Sequence, residues 1–517
     1  MKYLVLSAGL LALAGCASAQ DLEMHTVHAG SNPILSDGVD YTTDPAPLVA
    51  DGKLYILTGR DTAQADVNDF IMPEWQMLAT DDPASGDWTH YPHFVRPDDV
   101  FKWAEPNRAY AAQIVQGPDK RYYLYAPVLE ANSKNGDAFA IGVAVSDSPL
   151  GPWVDAHPAG PVVSQSVPVR NDIQNIDPTV LVDDDGRVYL YWGTFGRLKG
   201  VELERDMVTF RGKPVDVASL PGFFEASWIF KRKDTYYLAY AGNKVGPECT
   251  EAVYYACIAY GTAKSPLGPW TYSGVMLDPV SSTTSHPGIV AFKDKWYIAY
   301  HTADALAGGH FRRSVAIDEV KWDDSVSPPR MVKVIQTKAA VAPVASRNIA
   351  GAARVTASNA PVPVQYWLRA LNDGKVHANP LPPDMWATWT PANPARQWAL
   401  YQWDKPVTLN GARIRFWSDQ PAGASEGVAP PKAWHLEYWT GSVWTAIAGD
   451  YPAGLDGFNE IAFAPLTTRC LKAVFDASGD GKTYAAVAAQ EWEALAPEAV
   501  VTVGPSPKGL ADAGCRE

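Results

Sequence analysis

The sequence predicts an all-β protein in which a five-bladed β-propeller is followed by a β-sandwich. A hairpin pattern, in which an apolar run leads through a polar turn into an aromatic strand, occurs five times. The equivalent tyrosines are Tyr55, Tyr123, Tyr189, Tyr237 and Tyr297, so successive copies are 68, 66, 48 and 60 residues apart. Periods of this length with hairpins inside them are typical of propeller blades, each a sheet of four strands.

A second repeat supports the propeller. The sequence Ser-Asp-Ser-Pro-Leu-Gly-Pro-Trp at 146–153 returns as Ala-Lys-Ser-Pro-Leu-Gly-Pro-Trp at 263–270. The tryptophans that end the two copies, Trp153 and Trp270, are expected to pack between blades.

The residue that opens each hairpin is expected near the propeller axis, because the first strand of every blade lines the central channel. Those residues are Asp44, Ala112, Asp177, Glu225 and His286, each eleven or twelve positions before its tyrosine. A lone Asp-Pro pair, as at Asp44 and Asp177, is usually ordinary turn chemistry. Clustered carboxylates, however, raise each other's pKa and cost stability, so three in one register favour acid/base chemistry.

The first twenty residues have the pattern of an export signal, with an apolar run from Tyr3 to Leu13 and small residues before Gln20. The run is too short to cross a bilayer as a stable helix. Two cleavage sites fit, one after Ala19 and one before Cys16 in a Leu-Ala-Gly-Cys sequence that resembles a bacterial lipoprotein box, and the second is preferred. We therefore expect an exported protein: a periplasmic or outer-membrane lipoprotein anchored through Cys16, or alternatively a secreted protein.

Four cysteines remain when Cys16 is set aside as a lipid anchor. In an exported chain they could pair as Cys249 with Cys257 and Cys470 with Cys515, although the sequence alone leaves the connectivity open. Their spacing does not resemble a zinc site.

Composition narrows the class of partner. The chain of 517 residues has 43 basic and 57 acidic side chains and a net charge of -14, which disfavours nucleic acids and polyanionic glycans. Aromatic residues make up 11% of the chain, with 19 tryptophans, and exposed aromatic faces stack on sugar rings. A neutral carbohydrate is the favoured partner.

The expected domain limits follow from changes in composition. They are a signal peptide at 1–20, a propeller at 21–338, an Ala, Val and Pro-rich linker at 339–350, a β-sandwich at 351–495 and a loosely ordered tail at 496–517.

The second domain has short alternating strands that indicate a sandwich, as at 397–403, 412–417 and 434–439. Three stretches, at 371–375, 431–444 and 490–492, resemble the discoidin, or coagulation-factor C, type of galactose-binding-like domain. That resemblance implies a jelly-roll module, often carbohydrate-binding and often stabilised by calcium. Its sequence contains no acid/base constellation, so a binding role and a structural role are equally open.

The region from about 30 to 335 resembles glycoside hydrolase family 43, especially members similar to arabinoxylan arabinofuranohydrolases. The matching stretches are Tyr41–Pro47, Val143–Trp153, Asn175–Thr179, Ser285–Val290 and Phe311–Val315. The resemblance implies that Asp44 is the general base, Glu225 the general acid, and Asp177 the residue that raises the pKa of the acid and orients it. The chemistry agrees, because glycoside hydrolysis needs one carboxylate to activate water and one protonated carboxyl to release the leaving oxygen.

The resemblance also implies substrate-binding roles for three further residues. His286 would organise the channel floor, directly or through water on a cation such as calcium, or it is a buried histidine satisfied by hydrogen bonds. Arg313 would bind sugar hydroxyls or a carboxylate; the alternative is an ordinary surface salt bridge. Trp103 would be a platform near the sugar; the alternative is an ordinary packing residue. No cofactor is required for the chemistry itself.

Some positions depart from the family pattern. Ala226 and Ser227 follow the acid where relatives often have Gly-Pro, and Ser285 precedes the axial histidine where relatives often have Asn. Tyr110 stands at the channel mouth of the second blade, where a tryptophan is usual. These differences leave the acid and base intact and concern the sugar preference and the ligands of any bound cation.

The expected function is an inverting exo-glycosidase that removes α-L-arabinofuranosyl residues from plant arabinoxylan or arabinan. A β-xylosidase acting on xylo-oligosaccharides is the nearest alternative, because the two pentoses present similar hydroxyl patterns. A non-catalytic glycan-binding lipoprotein is the alternative from another class, and the loss of one carboxylate would have favoured it.

Overall fold

The computed structural model describes residues 22–501, apart from 132, 134–137, 165–172, 247–248, 250–254, 281–283, 339–344, 360–365 and 382–383, together with Cys515. The predicted signal peptide, with Cys16, and most of the predicted tail lie outside the described residues. None of the helices in the described part of the chain has the length and apolar character that crossing a membrane would require.

Five sheets form the first part of the chain, and this confirms the predicted propeller. The first blade contains β1 (His25–His28), β2 (Tyr41–Ala50), β3 (Lys53–Asp61), β4 (Trp75–Thr80) and β5 (Asp87–Val95). The second contains β6 (Gln113–Gln116), β7 (Tyr122–Leu129), β8 (Phe139–Ser146) and β9 (Val154–Asp155). The third contains β10 (Thr179–Val182), β11 (Val188–Trp192), β12 (Lys199–Leu203) and β13 (Val215–Asp216).

The fourth and fifth blades follow directly. The fourth contains β14 (Phe223–Arg232), β15 (Thr235–Gly242), β16 (Cys257–Ala263) and β17 (Thr271–Leu277). The fifth contains β18 (Gly288–Phe292), β19 (Lys295–Thr302) and β20 (Ser314–Val320), and a small hairpin of β21 (Trp322–Asp323) and β22 (Arg330–Met331) comes after it. A 3₁₀ turn at Pro83–Ser85 lies within the first blade, and the short helix α1 (Pro97–Val100) follows that blade.

The innermost strands close a ring. Strand β2 contacts β6, β6 contacts β10, β10 contacts β14, β14 contacts β18, and β18 returns to β2. The chain start also joins the last blade, since the Ile34 amide donates to the Val315 carbonyl over 2.8 Å and Asn32 bonds Ile317. Each innermost strand begins at the axis, so residues that open these strands converge on one channel.

The repeated sequence features have the predicted places. All five tyrosines of the hairpin repeat are buried, and each lies on the strand next to the innermost strand of its blade. Trp153 and Trp270 are both buried, and each follows the third strand of its blade. The propeller therefore follows from a local pattern that recurs once in every blade.

The second part of the chain is a β-structure that fits a sandwich. It contains β23 (Ser346–Asn348), β24 (Arg354–Ala357), β25 (Trp386–Ala387), β26 (Arg396–Trp417), β27 (Ala433–Trp439), β28 (Trp444–Ala446), β29 (Asn459–Asp476) and β30 (Ala488–Val500), with 3₁₀ turns at Ala350–Ala352 and Leu368–Asn372. Ser346 pairs with Val500, so the sheet extends beyond the predicted limits of 351 and 495 at both ends. The edge strand β23 needs β30 as its partner, and this pairing orders residues that composition assigned to a linker and a tail.

The two parts of the chain touch each other near the propeller mouth. Asn68 donates to the carbonyl of Asn379, and Asn379 donates to the carbonyl of Asp66, each over 3.0 Å. The rings of Tyr255 and Trp367 stack with their centres 3.8 Å apart.

Both expected disulfides are present. Cys249 is bonded to Cys257 within the fourth blade, and Cys470 on β29 is bonded to Cys515. The second bond attaches the end of the chain to the sandwich.

Candidate active site

The predicted axial residues line one cavity at the centre of the propeller. Asp44, Asp177, Glu225 and His286 all face this cavity, and Arg313 lines it as well. Ala112, which occupies the equivalent position in the second blade, is buried next to the lining residue Ala111. The structure thus brings together three carboxylates that are far apart in the sequence.

Irregular backbone aims these carboxylates into the channel. Asp44 and Asp177 have φ angles of 50° and 55°, and Ala226, directly after Glu225, has 59°. The pairing of β2 with β3 is interrupted between Thr43 and Ala46, and the pairing of β14 with β15 is interrupted on both sides of Glu225. Such bulges redirect a side chain at the cost of local strain, and both are frequent at active sites.

One departure from the expected family pattern, Ala226, lies at a strained position. Its φ of 59° is a left-handed conformation that glycine adopts without strain. The amide of Ala226 donates to Asp177 Oδ2 over 3.0 Å. This bond links the backbone of the acid strand to the third carboxylate.

Asp44 is surrounded by positive and hydrogen-bonding groups. Arg313 Nη1 donates to Asp44 Oδ1 over 3.0 Å, and His301 Nδ1 lies 3.2 Å from the same oxygen. His286 Nδ1 is 3.6 Å from it. The Asp44 amide donates to His301 Nδ1 over 3.1 Å. Burial by itself would raise the pKa of Asp44, but the charge of Arg313, with a smaller effect of His301, outweighs it and holds this pKa well below its usual value. Asp44 is ionised at neutral pH, as a base must be.

Glu225 has the opposite environment. Burial, the largest effect, and the negative charge of Asp44 together raise its pKa to about 7, against the lowering effects of hydrogen bonds from Thr194 and Thr284 and of the charge of Arg313. Thr194 Oγ1 donates to Glu225 Oε2 over 2.8 Å. Glu225 therefore keeps its proton to a higher pH than an ordinary glutamate, as an acid must.

Asp177 and Glu225 form a coupled pair. The pKa of Asp177 is raised well above its usual value by burial and then by the charges of Glu225 and Asp44. Two buried carboxyls that repel each other cannot both ionise readily, so the pair holds its last proton to higher pH than either group would alone.

Arg313 occupies a buried position rather than a surface salt bridge. Besides Asp44, it binds Asp61 through Nε and Nη2 at 2.8 and 2.9 Å, and its guanidinium lies 4.8 Å from the centre of the Phe70 ring. Two carboxylates and an aromatic face hold the arginine in one orientation. Its predicted place near the sugar is consistent with this position in the cavity wall.

Trp103 is not among the residues that line the central cavity. Its indole packs against Phe101 with ring centres 5.3 Å apart, and its N–H donates to Asp155 Oδ2 over 3.1 Å. A Cβ added at Gly142 would lie only 2.9 Å from the same indole. These contacts show that the ring packs on the second blade, and its expected role as a sugar platform stays a prediction.

His286 lies against Asp44, with its Nδ1 3.6 Å from Asp44 Oδ1. Burial lowers the pKa of His286 to about 4, so the ring is neutral. In the described part of the chain, no three side chains of His, Cys, Asp or Glu are grouped to hold a metal ion. The expected contact of His286 with a cation, directly or through water, stays a prediction.

Three site residues have no signal in the hairpin repeat: Asp61, Thr194 and His301. They lie at or just after the ends of the return strands β3, β11 and β19. In an antiparallel hairpin the return strand ends beside the start of the first strand, so its last residues reach the same face of the propeller. Polar residues at those strand ends are the signal that would have found them.

The chain is similar to known proteins over the propeller. Residues 31–327 match the family model of glycosyl hydrolases family 43. The chain is 31% identical over 331 residues to a xylosidase/arabinosidase of Bacteroides ovatus, a match covering 55% of this chain and 93% of that protein. It is 30% identical over 328 residues to a beta-xylosidase of Xylanibacter ruminicola, covering 55% and 94%. A solved family 43 enzyme of Xanthomonas citri, complexed with xylotriose, is 26% identical with a TM-score of 0.49 and covers 60% of this chain and 94% of its own.

The family match, together with the three carboxylates in one propeller cavity, identifies the protein as a glycoside hydrolase. The chain belongs to glycoside hydrolase family 43.

Proposed function

We propose that this chain is an inverting exo-glycosidase that removes α-L-arabinofuranosyl residues from arabinoxylan or arabinan. The observation that carries the proposal is the opposite environment of two buried carboxyls in one cavity. Asp44 accepts from Arg313, which holds its pKa low, whereas burial raises the pKa of Glu225 to about 7. Asp44 activates a water molecule, and Glu225 protonates the leaving glycosidic oxygen.

Asp177 is assigned a supporting role in this mechanism. Its charge disfavours ionisation of Glu225, and its bond with the Ala226 amide fixes the strand that carries the acid. Arg313 binds the Asp44 carboxylate, and His301 accepts from the Asp44 amide, so both hold Asp44 in the orientation that its work as a base requires. The chemistry needs only water and these side chains.

The size of the cavity supports exo action. Its volume is about 190 Å³, below the roughly 300–1,000 Å³ of pockets that enclose drug-sized ligands. One sugar ring suits such a space better than an internal segment of a polymer. A neutral plant oligosaccharide or polysaccharide is the proposed partner.

A β-xylosidase on the same scaffold is the second candidate. The Bacteroides relative carries both activities in its name, and the Xylanibacter relative is named a beta-xylosidase. Hydrolysis rates on 4-nitrophenyl α-L-arabinofuranoside and 4-nitrophenyl β-D-xylopyranoside test the choice. A higher kcat/KM on the arabinofuranoside is expected, the reverse order would assign the xylosidase, and no hydrolysis of either would contradict both.

A structural calcium ion is proposed for the sandwich rather than for the propeller axis. Glu491 is 1% exposed, its Oε2 accepts from the Gly374 amide over 3.0 Å, and its Oε1 is buried without a hydrogen-bond partner. Asn372 Oδ1, in the adjoining turn, is also buried without one. Buried oxygen atoms that lack donors suit a hard cation, which would be held by Glu491, Asn372 and Asp373 and would stabilise the fold.

Export is proposed from the N-terminal signal and is supported by the two disulfides, which persist in oxidising compartments. Lipid attachment at Cys16 is the preferred form of that export. Metabolic labelling with a radioactive fatty acid, with Cys16→Ser as the control, tests the anchor. Labelling that is unchanged in Cys16→Ser would contradict it.

A further inference from the structure

A tight turn at the rim of the catalytic cavity exposes a large aromatic side chain. Phe195 lines the cavity and is nevertheless 65% exposed. Its φ angle is 51°, in the left-handed region that bulky residues rarely adopt. A side chain kept outside the core on a strained backbone is a candidate for function rather than for packing.

The turn that carries Phe195 is attached to both catalytic strands. The Gly193 amide donates to the Ile176 carbonyl over 2.9 Å, and the Gly196 amide donates to the Phe224 carbonyl over 3.0 Å. Each of these carbonyls belongs to the residue immediately before a site carboxylate. The position of the Phe195 backbone is therefore fixed relative to Asp177 and Glu225.

Phe195 lies on the acid's side of the cavity. Thr194, its immediate neighbour, donates to Glu225 Oε2 over 2.8 Å. The Phe195 ring also packs edge to face against Phe224, the residue directly before Glu225, with ring centres 5.8 Å apart. Asp44 belongs to the first blade and Arg313 to the fifth, whereas Phe195 follows the second strand of the third blade.

The chemistry of glycoside hydrolysis determines what binds on that side. The general acid protonates the oxygen that joins the two sugars, so the departing sugar must lie next to the acid, while water attacks from the base's side. A solvent-exposed phenyl face at that place has no hydrogen-bonding group, and it suits the apolar face of a neutral sugar ring.

We propose that Phe195 is the stacking platform for the leaving-group sugar, a neutral pyranose unit of the polysaccharide. The proposal rests on the roles assigned above to Asp44 and Glu225. Phe195 then determines how strongly the enzyme prefers oligosaccharides over glycosides with a small leaving group, and it takes no part in proton transfer.

Two substrates with the same chemistry at the broken bond but different leaving groups test this role. The methyl glycoside of the preferred pentose and an oligosaccharide in which that pentose is linked to a xylopyranose unit both release an alcohol that needs a proton, but only the oligosaccharide has a pyranose ring to stack. Phe195→Ala should lower kcat/KM on the oligosaccharide on the order of tenfold, because the leaving-group sugar loses the apolar surface on which it stacks. The same variant should leave kcat/KM on the methyl glycoside within about twofold of the parent value.

Two further variants separate stacking from mere bulk. Phe195→Trp should retain the oligosaccharide preference, and Phe195→Leu should lose it although it is apolar. Val215→Ala, on the outermost strand of the same blade, is the matched control, because Val215 is also exposed and lies far along the blade from the axis. Melting temperatures should be close to that of the parent for all four variants, since each replaced side chain is exposed.

The outcomes are distinguishable. Equal loss on both substrates would show that Phe195 supports the acid and would overturn the platform, as would no loss on either. A parent enzyme that hydrolyses neither substrate would instead overturn the proposed function, and the platform with it.

Discussion

Arg313 Nη1 donates to Asp44 Oδ1 over 3.0 Å, while Asp61 accepts from two other nitrogen atoms of the same guanidinium. The arginine therefore has a fixed position behind the base and cannot swing away to pair with solvent. This relationship makes Asp44 a carboxylate that remains ionised although it is buried.

The first prediction follows from that pair. The base must be ionised, so activity is lost as the pH falls through the pKa of Asp44. Removing the guanidinium raises this pKa, and the acidic limb of the kcat/KM profile should move upward by about 1–3 pH units. The variant is Arg313→Met combined with Asp61→Asn, which avoids leaving Asp61 as an unpaired buried charge.

Arg312→Met is the control for this experiment, since Arg312 is adjacent in sequence and binds only the backbone carbonyls of Ala307 and Gln64 among its described hydrogen bonds. Its acidic limb should stay at the parent position. An unmoved limb in the double variant would mean that another residue is the base.

The second prediction concerns the acid. Glu225→Ala should lose on the order of 10²-fold to 10⁴-fold in kcat/KM on natural glycosides, whose alkoxide leaving groups need a proton. It should lose far less on aryl glycosides with leaving groups of low pKa. Asp44→Ala is the contrasting variant and should impair both classes alike, because water must be activated in either case. Equal losses for Glu225→Ala would show that the acid has been assigned wrongly.

The third prediction separates Asp177 from Glu225. The acid must be protonated, so activity is lost as the pH rises through the last pKa of the coupled pair. Asp177→Asn removes one negative charge, the remaining carboxyl ionises at lower pH, and the alkaline limb should move downward. Asp183→Asn should not move this limb, because Asp183 is bound by Lys231 and Tyr236 away from the channel. A profile that does not move in Asp177→Asn would refute the assignment.

The fourth prediction concerns stereochemistry. A base that activates water, rather than a nucleophile, releases sugar of inverted anomeric configuration without a covalent intermediate. Proton NMR of the first product, recorded before the anomers equilibrate, measures this directly. Retention of configuration would make Asp44 a nucleophile.

The fifth prediction tests the calcium of the sandwich. Calcium should raise the melting temperature of the chelator-treated protein, with stabilisation of about 2.7 kcal/mol at a hundredfold excess over Kd. Glu491→Gln should abolish the response, and Glu498→Gln, on an exposed part of the same strand, should keep it. An equal response in both variants would place the ion elsewhere.

The sequence by itself determined the features that repeat locally. The alternation of apolar and aromatic residues around polar turns defines each hairpin, and a common distance from the tyrosine identifies Asp44, Asp177, Glu225 and His286. Because every innermost strand begins at the axis, register within one hairpin was enough to bring these residues together. The cysteine spacing likewise allowed the pairs that form.

Tertiary structure decided which other side chains reach the cavity. Thr194 and His301 come from the ends of return strands and bind Glu225 and Asp44 only through the closure of the ring. The same closure leaves Trp103 in the packing of the second blade and presents Phe195 at the rim. A lone side chain in a loop has no periodic signal, and its contacts are determined by elements distant in sequence.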